Sequence, residues 1–195
     1  MKIFVISAHP DPGSFGSRLA DAYVEAAQAL HEVRRQNLFD LDFDPVLREG
    51  LSRVQPLEPD LITVQANLNW AQHVVVFYPV WWGNVPAVLK GMFDRALNSE
   101  FTYHREADDP AWRKVLTGRS AHIITTSDAA ATWLRKHYRD ADTNAVRYAT
   151  FERCGMQPVR ITRVGGVRSL SQKQRDKWVT RVSLFPRHEL RPDEK

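Results

Sequence analysis

Cysteine is nearly absent: Cys154 stands alone in 195 residues, so no disulfide can close within the chain. Nothing around it has metal-ligand spacing, so no metal is expected, and a packing role near a helix end in a reducing compartment fits it. Long hydrophobic runs are missing too. Met1 and Lys2 lead into a short apolar stretch that stops at Ser7, too short for a signal sequence or a membrane span. The expectation is a cytoplasmic protein without membrane insertion. A basic stripe is also lacking: 27 Lys and Arg stand against 23 Asp and Glu, a net charge of +4, with the two signs interspersed. Arg34 and Arg35 fall within a strand and the tail from Arg187 to Lys195 is mixed, which argues against a nucleic-acid partner. A mildly basic surface that favours anionic cofactors is the plainer reading. No repeat, low-complexity segment or linker divides the chain, so residues 1–195 are expected to form one domain.

What is present is an alternation of strand and helix signals. Residues 2–7 form a nearly continuous apolar run, the pattern of a strand buried on both faces of a parallel sheet. After the loop His9 to Gly16, Leu19, Tyr23, Ala26, Ala27 and Leu30 recur at helical spacing from Ser17 onward. Val33 to Leu38 carries several polar side chains and reads as an edge strand. Asp40 to Pro59 lacks periodicity and reads as a long surface loop of the kind that covers a site. Leu61, Val64, Leu68 and Ala71 mark the next helix. His73 to Tyr78 is the second strongly apolar run, and Val85 and Pro86 open a helix whose apolar stripe reaches Leu97. Ser120 to Thr126 predicts a further strand. Asp142 is placed to cap a helix reaching Cys154, with Gly155 ending it. Val159 to Arg163 is a second edge-like strand, and Ser171 with Gln174 predicts a capping box for a final helix through Trp178, Val182 and Phe185.

Five strands alternating with helices imply a parallel sheet with right-handed crossovers. The first and third strands are the most apolar, the second and fifth the most polar, which selects the order 2-1-3-4-5. In such a sheet a ligand binds beyond the carboxyl ends of strands 1 and 3, where the winding direction reverses. The loops that matter are therefore 8–17 and 78–85.

The first loop turns sharply into a helix N-terminus, where unpaired N–H groups and the dipole favour a phosphate. Gly13 and Gly16 allow close approach, Ser14 and Ser17 offer hydroxyls, and His9 or Arg18 adds positive charge. The loop lacks the leading glycine of a dinucleotide fingerprint and the Gly-Lys-Ser/Thr of a P-loop. The second loop places Trp81 and Trp82 beside it, faces suited to a flat ring. A phosphate cradle and an aromatic wall on neighbouring strand ends match a flavin.

The residues His9, Ser14 and Phe15, then Pro79 to Trp82, then Val85 to Arg95, then Thr125 and Thr126 occur in an order and spacing that resembles the NAD(P)H:quinone reductase family of flavodoxin-fold proteins. The resemblance runs from the first strand to about Thr126, and Pro79 to Arg95 is its specific part. It implies a flavodoxin-like three-layer α/β sandwich and a flavin bound by His9, Ser14, Phe15, Gly16 and Ser17 at the phosphates. It further implies Pro79, Val80, Trp81, Trp82 and Gly83 along the isoalloxazine, and Thr125, Thr126 and Ser127 on its pyrimidine side. FAD is favoured over FMN through the Ser14 and Phe15 loop, with NAD(P)H as the electron donor. The implied reaction is ping-pong hydride transfer to a quinone or similar small acceptor, with the loop from Asp40 to Pro59 and the segment after Phe101 shaping the acceptor pocket. A homodimer through the helix beginning at Val85 is implied as well. Where the family has asparagine this chain has Gly16, and where it has two glycines after the threonines this chain has Ser127 and Asp128. The family's flavin-side tyrosine and histidine fall without gaps on Trp133 and Arg139, with Tyr138 and His137 a short shift away, so Trp133 and Tyr138 are the candidate catalytic side chains.

Two other function classes compete. An FMN electron carrier is typically acidic, against a pI of 9.4 here. A flavin- or nicotinamide-binding regulatory module draws its support from Ser127 and Asp128. A phosphoacceptor receiver lacks the acidic pair after the first strand and has Tyr78 and Pro79 where an aspartate would end the third.

Overall fold

The computed structural model describes residues 1–50, 53, 55–98, 101, 103–104 and 113–189. Its sheet has strand β1 (Lys2–Ser7) between β2 (Glu32–Asn37) and the central β3 (His73–Pro79), and is extended beyond β3 by β6 (Ser120–Thr126) and β7 (Val159–Val164). All four pairings are parallel and the order is β2-β1-β3-β6-β7, the expected 2-1-3-4-5 arrangement once the separate two-residue strands β4 (Tyr103–His104) and β5 (Arg113–Lys114) are set aside.

The continuous apolar runs of β1 and β3 follow from burial on two faces. Phe4 and Ile6 of β1 and Val74, Val76 and Tyr78 of β3 enter one core with α2 (Pro59–Trp70) and α3 (Ala87–Ala96). Ile3, Val5, Val75 and Phe77 point the other way, into the layer formed by α1 (Phe15–Gln28) and the final helix. The edge strands β2 and β7 are only partly buried.

Between β6 and β7 the chain forms α4 (Ala131–Tyr138) and α5 (Ala141–Asn144), which runs on as π-helix over Ala145–Glu152. Asp142 does not cap this helix as expected. It lies inside the first turn, fully buried, with its carboxylate 3.2 Å from Arg163 Nε, while Asp140 takes the cap position at φ +59°. The helix does end at Gly155, which adopts φ +106°. Cys154 packs there as expected, and burial pushes its thiol up to about 11. The last helix, α6 (Gln172–Ser183), starts with the predicted capping box but stops short of Phe185, which begins a separate helical turn.

The long loop after Asp40 lies across α3 instead of over the strand ends. Arg95 is fully buried and its guanidinium donates to Pro56 O at 2.7 Å, to Glu58 and to Asp44 O. A Cβ on Gly91 would stand 2.4 Å from Pro45, so only glycine lets the loop approach so closely. Much of the apolar excess on α3 is thus covered by its own chain. The remainder faces a groove against the α5 segment, lined by Val85, Phe93, Leu97, Val146 and Ala149. Of the segment after Phe101, residues 102 and 105–112 lie outside the described residues.

Candidate functional site

The tips of β3 and β6 end level, Pro79 being paired with Thr126, while β1 stops lower, at Ser7 opposite Phe77. A cleft opens above them, bounded by Ser7, His9, Gly16, Ser17, Pro79 and Thr126.

One residue organises the first loop, and it is not one the sequence reading selected. Asp11 Oδ1 accepts the Gly13 N–H at 2.8 Å, and its carbonyl accepts both the Ser14 N–H and the Ser17 hydroxyl. Aspartate followed by proline and glycine is the available signal, since its side chain closes a turn on the N–H two residues ahead. Ser14 then caps α1: its Oγ accepts the Ser17 N–H at 3.1 Å and donates to Ser17 Oγ at 3.0 Å. Both hydroxyl protons are therefore committed within the loop. The N–H groups of Phe15 and Gly16 keep no protein partner among the described residues, as expected of the first turn of a helix.

His9 is half-buried at the rim, and its Nδ1 lies 3.0 Å from the Asp11 N–H. Since that N–H can only donate, Nδ1 must accept, and in the neutral ring the proton resides on Nε2. A donor is thereby oriented at the cleft. Arg18 points elsewhere: it is exposed and does not line the cleft.

Beyond Pro79, the Val80 N–H donates to Thr126 O, tying the loop to β6. Trp81 and Asn84 then exchange two backbone hydrogen bonds around a tight turn in which Trp82 has φ +52° and Gly83 φ +70°. Two successive positive φ values make a turn that suits glycine and strains tryptophan. The Trp82 and Gly83 N–H groups stay unpartnered at the tip among the described residues. Trp81 stands edge-on to His9 with ring centroids 6.1 Å apart, whereas Trp82 is 102% exposed and is not among the residues that line the cleft. Further rings beside this turn come from α4. There Trp133 stacks on His137 at 4.5 Å and meets Tyr138 edge-on at 5.0 Å, and the Tyr138 ring lies 3.0 Å from where a Gly83 Cβ would stand. Both candidate catalytic side chains and His137 are therefore in one cluster beside the turn. Arg139 ends the helix at φ +51° and is not among the rings.

The threonines close the third side. Thr125 is buried and Thr126 faces the cleft; Ser127 Oγ donates to Ala129 O at 2.7 Å, and Asp128 pairs with Arg168. The backbone takes up no positive φ at Ser127 or Asp128. Close approach comes from the neighbouring strand end, where a Cβ on Gly165 would stand 2.5 Å from Ala131 N.

Among the described residues no cluster of His, Cys, Asp and Glu could hold a metal, and no helix is long and apolar enough to cross a membrane. A family model described as a flavodoxin-like fold matches residues 1–183. A ribosyldihydronicotinamide dehydrogenase-like protein of Penicillium crustosum is 30% identical over 152 residues, 65% of this chain and 57% of its own length. An uncharacterized NAD(P)H oxidoreductase of Haemophilus influenzae is 25% identical over 181 residues, 90% of this chain and 89% of its own length. The crystal structure of Smu.1420 from Streptococcus mutans UA159 superposes with a TM-score of 0.82 at 26% identity, covering 97% of this chain and 100% of that one. The chain spans about half the length of several curated relatives that it matches.

Proposed function

The chain belongs to the family with the flavodoxin-like fold, and from that premise we propose a flavin-dependent NAD(P)H oxidoreductase that reduces a quinone or similar small acceptor in the cytoplasm. The observation that carries the reading is the pair of unpartnered backbone donor sets at adjacent strand tips, Phe15 with Gly16 and Trp82 with Gly83. Donors without acceptors suit a ligand that is anionic at one end and rich in carbonyl and ring-nitrogen acceptors at the other, and a flavin is such a ligand. Relatives named as a ribosyldihydronicotinamide dehydrogenase-like protein and an NAD(P)H oxidoreductase support the same chemistry. FAD is the cofactor favoured by the likeness of the Ser14 and Phe15 loop to the quinone reductases.

A bound flavin supplies two-electron exchange between a nicotinamide and an acceptor. The chain's own residues bind and orient. The α1 N-terminus and His9 Nε2–H hold the phosphate, fixed donors that need no rearrangement on binding. The turn from Trp81 to Asn84 fixes the ring edge, and its backbone donors stabilise negative charge wherever that charge gathers beside them. Trp81, Trp133 and Tyr138 form an apolar flank that excludes water and receives flat donors and acceptors. One flank serves both, which favours a ping-pong order. A homodimer through α3 is part of the proposal, supported by the apolar side chains Val85, Phe93, Leu97, Val146 and Ala149 in the groove between α3 and the π-helical stretch after α5.

The test is direct. Purified protein should take up FAD or FMN, oxidise NADH or NADPH with a quinone without a partner protein, and give parallel lines in double-reciprocal plots. A protein that stays colourless with excess flavin refutes the proposal.

A further inference from the structure

β1 carries an anomaly at its last residue. Side chains alternate along a strand, so Ile3, Val5 and Ser7 share the face that packs under α1. Ile3 and Val5 fill that core, and an apolar third member would complete the stripe. Ser7 stands there instead, 5% exposed, and its Oγ has no hydrogen-bond partner. A buried hydroxyl without a partner destabilises the fold, so its presence asks for an acceptor that the chain does not itself provide.

The surroundings identify that acceptor's place. Ser7 lines the cleft together with Gly16, Ser17 and Thr126, beneath the first turn of α1. The hydroxyls that sequence position alone assigns to a phosphate are already engaged: the Ser14 proton goes to Ser17 Oγ and the Ser17 proton to Asp11 O. A phosphate accepts hydrogen bonds from every direction and satisfies a donor on each. Resting on the free Phe15 and Gly16 N–H groups, it still lacks a donor from below, and Ser7 is the buried hydroxyl there with its proton uncommitted.

We propose that Ser7 is a cofactor-binding residue, its hydroxyl donating from the floor of the cleft to the phosphate of the ligand, an inference that rests on the flavin reading above. Ser14 and Ser17 then act as positioning residues that hold α1 in place, and the side-chain contribution to phosphate binding comes from Ser7 and His9.

The experiment compares Ser7→Ala with Ser7→Thr, which keeps the hydroxyl, by fluorescence titration of the apoprotein with FMN, FAD and riboflavin. Riboflavin has the same ring without the phosphate. Loss of a hydrogen bond to a charged acceptor should weaken FMN and FAD binding to Ser7→Ala on the order of ten- to a hundredfold. Riboflavin affinity should stay within about twofold, and Ser7→Thr should recover most of the FMN affinity. Without ligand, Ser7→Ala should melt at the same temperature as the parent or higher, because an unsatisfied polar atom has been removed. Equal losses for FMN and riboflavin, no loss for either, or a lower melting temperature of the apoprotein would each overturn the assignment and return Ser7 to packing. A parent protein that binds none of the three flavins removes the flavin reading itself, an outcome distinct from a parent that binds FMN as tightly as Ser7→Ala does.

Discussion

Replacing Glu189 should cost this protein more stability than most single changes, although the residue lies beyond the last helix and far from the cleft. Its carboxylate is fully buried at the amino ends of the strands, 2.7 Å from His122 Nδ1, 3.5 Å from His73 Nε2 and 3.6 Å from Arg160, with the Tyr23 hydroxyl donating at 3.3 Å. Burial pushes the Glu189 carboxyl up, but hydrogen bonds from His122 and His73 outweigh it and hold it well below the usual carboxylate range. The same burial, with the Glu189 charge beside it, drives the Tyr23 phenol well above its usual value. Removing one partner of such a cluster strands the others, at about 3–5 kcal/mol. For a chain of this size each kcal/mol moves the melting temperature by about 2–4 °C, so Glu189→Ala should lower it by roughly 6–20 °C. The pH dependence has a definite sign. A carboxyl whose folded value is depressed stabilises the fold above its unfolded value, near ~4.5, and loses that stabilisation as pH falls toward the folded value. Glu189→Gln, which keeps the shape and removes the charge, should therefore differ most from the parent at pH 7 and converge on it as the pH drops below ~4. Thermal melts by circular dichroism across that range test both statements. A shift under ~2 °C for Glu189→Ala, or a gap between parent and Glu189→Gln that is constant from pH 7 to pH 3, would refute the reasoning.

Three further outcomes can be checked by melting and flavin titration. Gly165→Ala puts a methyl 2.5 Å from Ala131 N and 2.8 Å from Ala129 O, which should destabilise by ~1–3 kcal/mol and weaken flavin binding by displacing the loop after β6. Wild-type values for both would mean that the loop is not held there. Trp82→Gly removes a tryptophan from φ +52° and should stabilise the apoprotein by ~1 kcal/mol while weakening flavin retention, because the exposed ring is free to meet a ligand. Retention equal to the parent would take that ring out of the site. Arg95→Met leaves the Pro56 and Asp44 carbonyls and Glu58 without their partner and should destabilise by ~3 kcal/mol; proteolysis within residues 41–58 should accelerate, and an unchanged cleavage rate would contradict the strap.

The sheet was readable because burial on two faces leaves an unmistakable mark: β1 and β3 have no polar interruption from Ile3 to Ile6 and from Val74 to Phe77. The capping box at Ser171 and the stop at Gly155 were readable because they are local. What escaped depends on contacts distant in sequence. Helix α4 buries only Leu134 and has no side-chain cap, so it leaves neither a stripe nor a start signal. Asp142 carries the composition of a cap, but Arg163, across the β6–β7 connection, draws it into the interior. Arg95 looks like an exposed helix residue until the loop from Asp44 to Glu58 folds over it. Ser14 and Ser17 were legible as hydroxyls at the start of α1, yet which of their protons remain available is a matter of hydrogen-bond geometry that no spacing encodes.

Polar groups at the two ends of the sheet sit in different surroundings, and the contrast bears on function. At the amino ends, His73 has Ser120 and Glu189, His122 has Thr162 and Glu189, and Tyr23 shares the same carboxylate. That network ties the tail to α1 and to three strands, with His73 Nε2 and Glu189 Oε2 meeting at an ion-pair distance of 3.5 Å. At the carboxyl ends Ser7 has no partner, Phe15, Gly16, Trp82 and Gly83 hold donors without acceptors, and Trp82 sits in a backbone conformation that costs it energy. The unpaired atoms at the amino ends, His73 Nε2 and Glu189 Oε2, face each other within their own cluster, whereas Ser7 faces a cleft. An orphaned group that faces its own network needs no ligand, whereas one that lines a cleft beside free backbone donors marks where something else is meant to bind.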